Sequence, residues 1–162
     1  MPEYSLPFAE KLAKAASLVA ADGLDDPEAM RTVLYLSLLS TEVSLKAMLE
    51  KAGMALPKIR KRSHDLAGLM KDLGRCTVGT TITPGKDMRV PASRLRGVPL
   101  TYASESSTVG KVIDAEREGA SAYPGGVRYG KLPKHYPPEL VSQMATAVAL
   151  FARKHWTSLH AA

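Results

Sequence analysis

Arg128 and His135 are the residue pair in this chain with the most direct route to chemistry, and six residues separate them. A histidine can move the proton of a ribose 2′-hydroxyl, and an arginine can hold a phosphate while negative charge builds on it. The pair therefore suits metal-free phosphodiester chemistry. Around it stand Tyr129, Lys131, Lys134 and Tyr136. Cations interleaved with aromatics suit phosphate contact combined with base stacking. A solvated basic loop has the same composition, so both readings stand at this point.

A second candidate lies in "KRSHDLAGLM", residues 61–70, where His64 follows Arg60, Lys61 and Arg62. Ser63 offers an N-cap for a short helix, and Asp65 then faces the positive end of its dipole. A histidine in that first turn has its protonated form disfavoured by the dipole. A neutral His64 donating to a backbone carbonyl would pin the loop. The functional alternative has His64 and Arg62 contacting a ligand.

The third candidate is Glu42. On a 3.6-residue period it shares a face with Tyr35, Leu38, Leu45 and Leu49. A carboxylate on an apolar stripe needs a partner, because burying it alone is expensive. Lys46, one turn on, is the local candidate, and an arginine or histidine from another element is the other. This reading makes Glu42, Lys46 and Asp65 structural polar residues.

Several other chemistries are excluded. "GKVIDAEREG" lacks the glycine spacing of a phosphate-binding loop. The histidines at 64, 135, 155 and 160 form no zinc-protease pattern. The lone Cys76 rules out an intramolecular disulfide and any Cys-rich zinc site. No metal and no cofactor are expected.

The elements that must position these residues are mainly helical. Residues 5–22 place Phe8, Leu12, Ala16 and Val19 on one face, with Gly23 as a stop. Asp26-Pro27-Glu28 is a strong helix start, and the helix it opens runs to about Ala52. That helix is apolar over much of its circumference, which suits the middle of a bundle or a dimer interface. Residues 53–62 read as a basic loop. Leu66, Leu69, Met70 and Leu73 make a short apolar stripe ending at Gly74. From 75 to 104 the chain turns rich in Thr, Val, Gly and Pro without a helical period, so it reads as an irregular insertion with room for short strands or a hairpin. Residues 105–118 read as helix, "SAYPGGVRYGKLPKHYPP" as loop, and a last helix is expected from Pro138 to about Leu159, with His155 on its packing stripe.

At 162 residues, 45% hydrophobic and 23% charged, the chain suits one globular domain spanning 1–162. Its net charge of +6 favours phosphate-bearing partners. It shows no signal-peptide pattern and no apolar run of transmembrane length, so a cytoplasmic protein without membrane contact is expected.

In their order along the chain, three stretches resemble the HEPN superfamily, the helical domains named for higher eukaryotes and prokaryotes nucleotide-binding. "LSTEVSLKAMLEKAG" is similar to the family's acidic, Leu-Lys-containing second helix, and "SHDLAGLM" to its His-Asp-Leu helix start. "GVRYGKLPKHYPPELVSQMATAVALFARKH" is similar to its Arg-Tyr turn leading into the last helix. The resemblance leaves 75–104 unaccounted for. It implies an all-α, up-and-down bundle of four to five helices that often dimerises. It also implies roles near nucleic acid, in toxin–antitoxin or phage-defence systems, with a cognate antitoxin or a nucleotidyltransferase-type protein as partner. Ribonuclease members carry arginine, four to six residues, then histidine, a spacing that Arg128 and His135 meet. Their interval "YGKLPK" holds a glycine and a proline, whereas active members typically present the two side chains from helix.

The expected function is thus a HEPN-like domain that binds RNA or a nucleotide through His64, Arg62, Arg128, Tyr129, Lys131 and Lys134, without catalysis of its own. Two alternatives accompany it. One is a metal-independent endoribonuclease using Arg128 and His135. The other is a protein-interaction module for an acidic partner.

Overall fold

A computed structural model describes residues 1–128 and 136–161. The chain is about 62% helical with 16% strand in small antiparallel sheets, so mostly helical rather than purely so. The first helix, α1, spans Leu6–Asp22, capped by the Ser5 hydroxyl, which accepts from the Phe8 amide. Helix α2 spans Pro27–Lys51, and the Asp26 carboxylate accepts from the Ala29 amide at its start. Helix α7, Pro138–His155, completes a core in which α1, α2 and α7 pack on one another.

Small residues make that packing close. The buried positions of α1 are Leu6, Ala9, Ala13 and Ala16, while Phe8 of the expected stripe is exposed. The α2 residues Ser37, Ser40 and Ser44 are fully buried, and the Ser40 hydroxyl donates to the Ala9 carbonyl at 2.7 Å. Helix α7 buries Ala145, Ala149 and Ala152. Apart from Leu6, α1 thus turns alanines to the core and leaves Phe8 and Leu18 outside, because the close approach of the helix backbones leaves room only for small side chains. By length and composition α2 is apolar enough to cross a membrane, contrary to the expectation from sequence, but 72% of its most apolar window is buried inside the protein.

The basic stretch after α2 holds a short helix, α3 (Leu56–Lys61), where a plain loop was expected. Helix α4 spans Leu66–Leu73 and packs on α2. Its N-cap is Asp65, whose carboxylate accepts from the Gly68 amide at 2.9 Å. This corrects the expected Ser63 cap: Ser63 sits in the preceding turn at φ 49°. His64 therefore lies one residue outside the cap, not in the first helical turn.

The insertion is ordered as strands. Strands β1 (Cys76–Thr83) and β2 (Lys86–Pro91) form an antiparallel hairpin pairing Thr80 with Met88, with a register shift between Thr81 and Thr83. A 3-10 turn over Ala92–Gly97 leads to β3 (Pro99–Tyr102), which pairs with β4 (Glu105–Thr108). The expected helix over 105–118 accordingly begins only at Val109: α5 spans Val109–Arg117, capped by the Thr108 hydroxyl. A four-residue helix, α6 (Gly125–Arg128), follows. After α7 a 3-10 turn at Trp156–Ser158 ends the helix earlier than expected, and β5 (His160–Ala161) joins the other edge of β1.

Candidate functional site: a buried carboxylate hub beside a basic groove

Glu42 lies mid-way along α2 and is 4% exposed. Both of its oxygens are occupied. Oε1 accepts from Lys46 Nζ at 2.7 Å. Oε2 accepts from the Tyr123 hydroxyl at 2.6 Å and faces His64 Nδ1 at 2.9 Å. Burial pushes the carboxyl pKa up, but hydrogen bonds from Lys46, Tyr123 and His64 outweigh it and hold the group below the usual carboxylate range. Tyr123 responds in the opposite direction: burial and the adjacent Glu42 charge push its hydroxyl well up. Glu42 is thus an ionised acceptor and Tyr123 a neutral donor near neutral pH.

The structure therefore gives Glu42 both kinds of partner considered for it, and brings Glu42, Lys46 and His64 together. His64 does not donate to a backbone carbonyl; its Nδ1 meets the carboxylate instead. Tyr123 packs edge-on against the imidazole, with centroids 5.8 Å apart and planes at 87°. The Lys46 ammonium, 5.3 Å from the Tyr4 ring centroid, is covered from the other side.

Arg128 lies at the end of α6. Its guanidinium donates to the Tyr35 hydroxyl at 2.9 Å and sits over the Tyr35 ring at 5.5 Å. The α2 residue Arg31 holds the same turn by donating to the carbonyls of Val127 and Arg128. Tyr129, Lys131, Lys134 and His135 lie outside the described residues, so the expected pairing of Arg128 with His135 falls there too. Arg62 is committed in part, through a two-pronged pair with Asp72 at 2.6 and 2.8 Å. That guanidinium keeps the Asp72 carboxyl below its ordinary range. Asp65 serves as the α4 cap.

Arg62 and Asp65 line two adjoining cavities. One, of about 730 Å³, is walled by Lys58, Lys61 and Arg75 over a floor of Met54 and Cys76. The other, of about 670 Å³, is walled by Lys71, Arg96 and Arg117. Together they form a groove around α4. Arg96 pairs with Asp114 at 2.6 Å, whereas Lys58, Lys61, Lys71, Arg75 and Arg117 form no ion pair among the described residues. Sequence reasoning missed most of these cations. Lys58 and Lys61 were visible as part of a basic run, but Arg75, Arg96 and Arg117 come from separate elements. Tyr123 was equally hidden, since it stands in a Pro/Gly-rich segment without periodicity. Among the described residues no cluster of three or more His, Cys, Asp or Glu side chains could hold a metal ion.

Comparison with protein-family models, with curated proteins and with solved structures gave no match.

Proposed function

We propose that this protein is a HEPN-like helical domain that binds RNA or a nucleotide by its phosphates, in the groove around α4. In this reading α1, α2, α4, α5 and α7 are the bundle, and the β1–β2 hairpin is an addition to it. The observation that carries the reading is the continuity of the groove at Arg62 with five cations along its walls, none in an ion pair among the described residues. Cations not already neutralised by carboxylates are the groups that release counterions when phosphates dock. Arg62 has its fork filled by Asp72, so it marks the shared edge of the two cavities and leaves phosphate contact to the lysines and arginines around it. The reading assigns no RNA cleavage to Arg128, whose guanidinium donates to the Tyr35 hydroxyl. A homodimer belongs to the same reading: Phe8, Leu18 and Leu150 are large exposed apolar residues on α1 and α7.

The test is retention of a mixed-sequence RNA on a filter across a salt series. Binding at low salt that weakens steeply with salt is expected, and Lys58→Glu/Lys61→Glu should weaken it and flatten the slope by about one unit per lost phosphate contact. Retention unaffected by the double substitution would refute the groove as the binding surface. Cleavage of the same RNA in EDTA, lost in both Arg128→Ala and His135→Ala, would replace the binding reading with an endoribonuclease.

A further inference from the structure

Phosphate binding in the groove does not explain why His64 is held as it is. The side chain keeps 47% of its surface accessible, yet one ring nitrogen is tied to a buried carboxylate. Ionised Glu42 can only accept, so the Nδ1 that faces it at 2.9 Å carries the proton. In the neutral ring the lone pair then resides on Nε2. Tyr123 packs edge-on against the ring, with centroids 5.8 Å apart.

His64 also lines a third cavity, of about 190 Å³, together with Leu66, Ala67 and Arg117. The two carboxylates at its wall are engaged elsewhere. Asp65 caps α4, and Glu116 accepts from the Ser121 hydroxyl. Both keep their charge, so the groups that could meet a phosphoryl oxygen are few. Arg117 supplies a guanidinium. Leu66 and Ala67 are the first two residues of α4, whose amides have no intrahelical acceptor by position and lie at the positive end of the helix. The cavity shares Ala67 and Arg117 with the basic groove, so the two are contiguous.

The geometry points to His64 as a phosphoryl acceptor, its Nε2 attacking the phosphorus of a small donor of high transfer potential, either a phosphoramidate or an acyl phosphate. In that step the Nε2–P bond forms as the P–N or P–O bond to the leaving group breaks. The leaving group departs with the bonding electron pair and is protonated by solvent. The Nδ1 proton stays on the ring, in its hydrogen bond to Glu42. No electrons are exchanged and no reagent beyond the donor is consumed. Attack by Nε2 puts positive charge on the imidazole, and Glu42 is placed to offset that charge as it develops. Arg117 and the α4 amides hold the phosphoryl oxygens at the other end of the forming bond. A histidine whose base partner fixes one nitrogen and frees the other is the general arrangement of an activated nucleophile.

The experiment is labelling of the full-length chain with potassium phosphoramidate and, in a parallel arm, acetyl phosphate. Peptide mapping scores acid-labile, alkali-stable phosphate at each histidine. His160, exposed at the C-terminal strand, is the internal control. Phosphorylation of His64 should be about tenfold faster than that of His160 in at least one arm; the arm that shows it identifies the donor class. Glu42→Gln should bring His64 down to the rate of His160, which itself should not change. Long-range proton–nitrogen spectra of the unlabelled protein should show the Nδ1–H tautomer at His64. Equal rates at His64 and His160 in both arms would overturn the proposal. So would a folded Glu42→Gln variant labelled as fast as wild type. Should that variant not fold, the wild-type ratio and the tautomer decide alone. RNA retention and His64 labelling report on different atoms, so either can fail without the other.

Discussion

Removal of the Glu42 side chain is the perturbation for which the structure sets the firmest magnitude. Glu42→Ala leaves Lys46, 7% exposed, with its ammonium facing an empty space where Oε1 had been at 2.7 Å. Breaking a buried pair by deleting one partner costs about 3–5 kcal/mol, because the remaining charge is stranded. The Tyr123 hydroxyl loses its acceptor as well, a buried orphan that adds about 1–3 kcal/mol, whereas the half-exposed His64 can turn its Nδ1 to water. Water entering through the cavity beside His64 offsets part of that, so a total near 4 kcal/mol is expected. That is a large share of the roughly 5–15 kcal/mol by which a domain of this size is stable. Glu42→Leu/Lys46→Met, which removes both charges and restores apolar volume, should cost less than the single change, about 1–2 kcal/mol, since only the Tyr123 hydroxyl is left without its acceptor in the interior. Glu10→Ala, which opens the more exposed pair of Glu10 with Arg153, should cost at most about 1 kcal/mol. Urea unfolding followed by circular dichroism measures all three. A Glu42→Ala cost below about 1 kcal/mol, or a double substitution as damaging as the single one, would refute the hub as a coupled buried ion pair.

Acid should act on the same group. Glu42 has a folded-state pKa below its unfolded value of about 4.5, so its stabilisation is complete above that pH and is lost as pH falls through the lower folded value; the urea midpoint should drop on that side and drop less in Glu42→Gln. Asp65→Ala should cost about 1 kcal/mol as loss of a helix cap, whereas Ser63→Gly should stabilise by up to about 1 kcal/mol, since Ser63 sits at a positive φ that glycine adopts freely. The reverse pattern would restore Ser63 as the cap. Gly68→Ala should destabilise by about 1 kcal/mol although alanine is the better helix former by a similar amount, because a Cβ there would lie 2.1 Å from Asp65 Oδ2 and 2.8 Å from its Cγ. In an Asp65→Ala background the same change should become neutral or stabilising, and a cost that persists there would place the clash elsewhere.

Helices with strong local signals were legible from sequence. Asp26-Pro27 starts α2 where expected, because an N-cap acts through its own backbone neighbours, and α1 fills the expected 5–22 span with Ser5 as its cap. The cap of α4 was assigned two residues early because Ser63 and Asp65 are both good caps, and a string of letters does not show which one has positive φ. The hairpin at 76–91 was legible only as a change of texture: β1 sets threonines beside Val78 and Ile82, but β2 is Lys-Asp-Met-Arg-Val-Pro and exposed along almost its whole length. No apolar face announces such a strand. Glu42's need for a partner was legible from its apolar face, and the identity of Tyr123 as a partner was not, since it lies 81 positions further along the chain.

The less visible feature is what α2 does for the two basic segments of the chain. Arg31, Tyr35, Glu42 and Lys46 fall within about 60° of one another on a 3.6-residue helix and span roughly 22 Å of its length. Each makes a polar contact on that stripe. Arg31 and Tyr35 hold the 127–128 turn, Glu42 holds Tyr123 and His64, and Lys46 neutralises Glu42. On the opposite side the same helix presents Ser37, Ser40 and Ser44 to close packing. An apolar stripe there would anchor neither segment, because apolar contacts are non-directional, whereas each hydrogen bond here fixes a donor and an acceptor. The segment ending in Arg128 and the turn carrying His64 are thus registered against one helix through one carboxylate. The position of His64 relative to the groove is in that way tied to the position of the 123–128 segment.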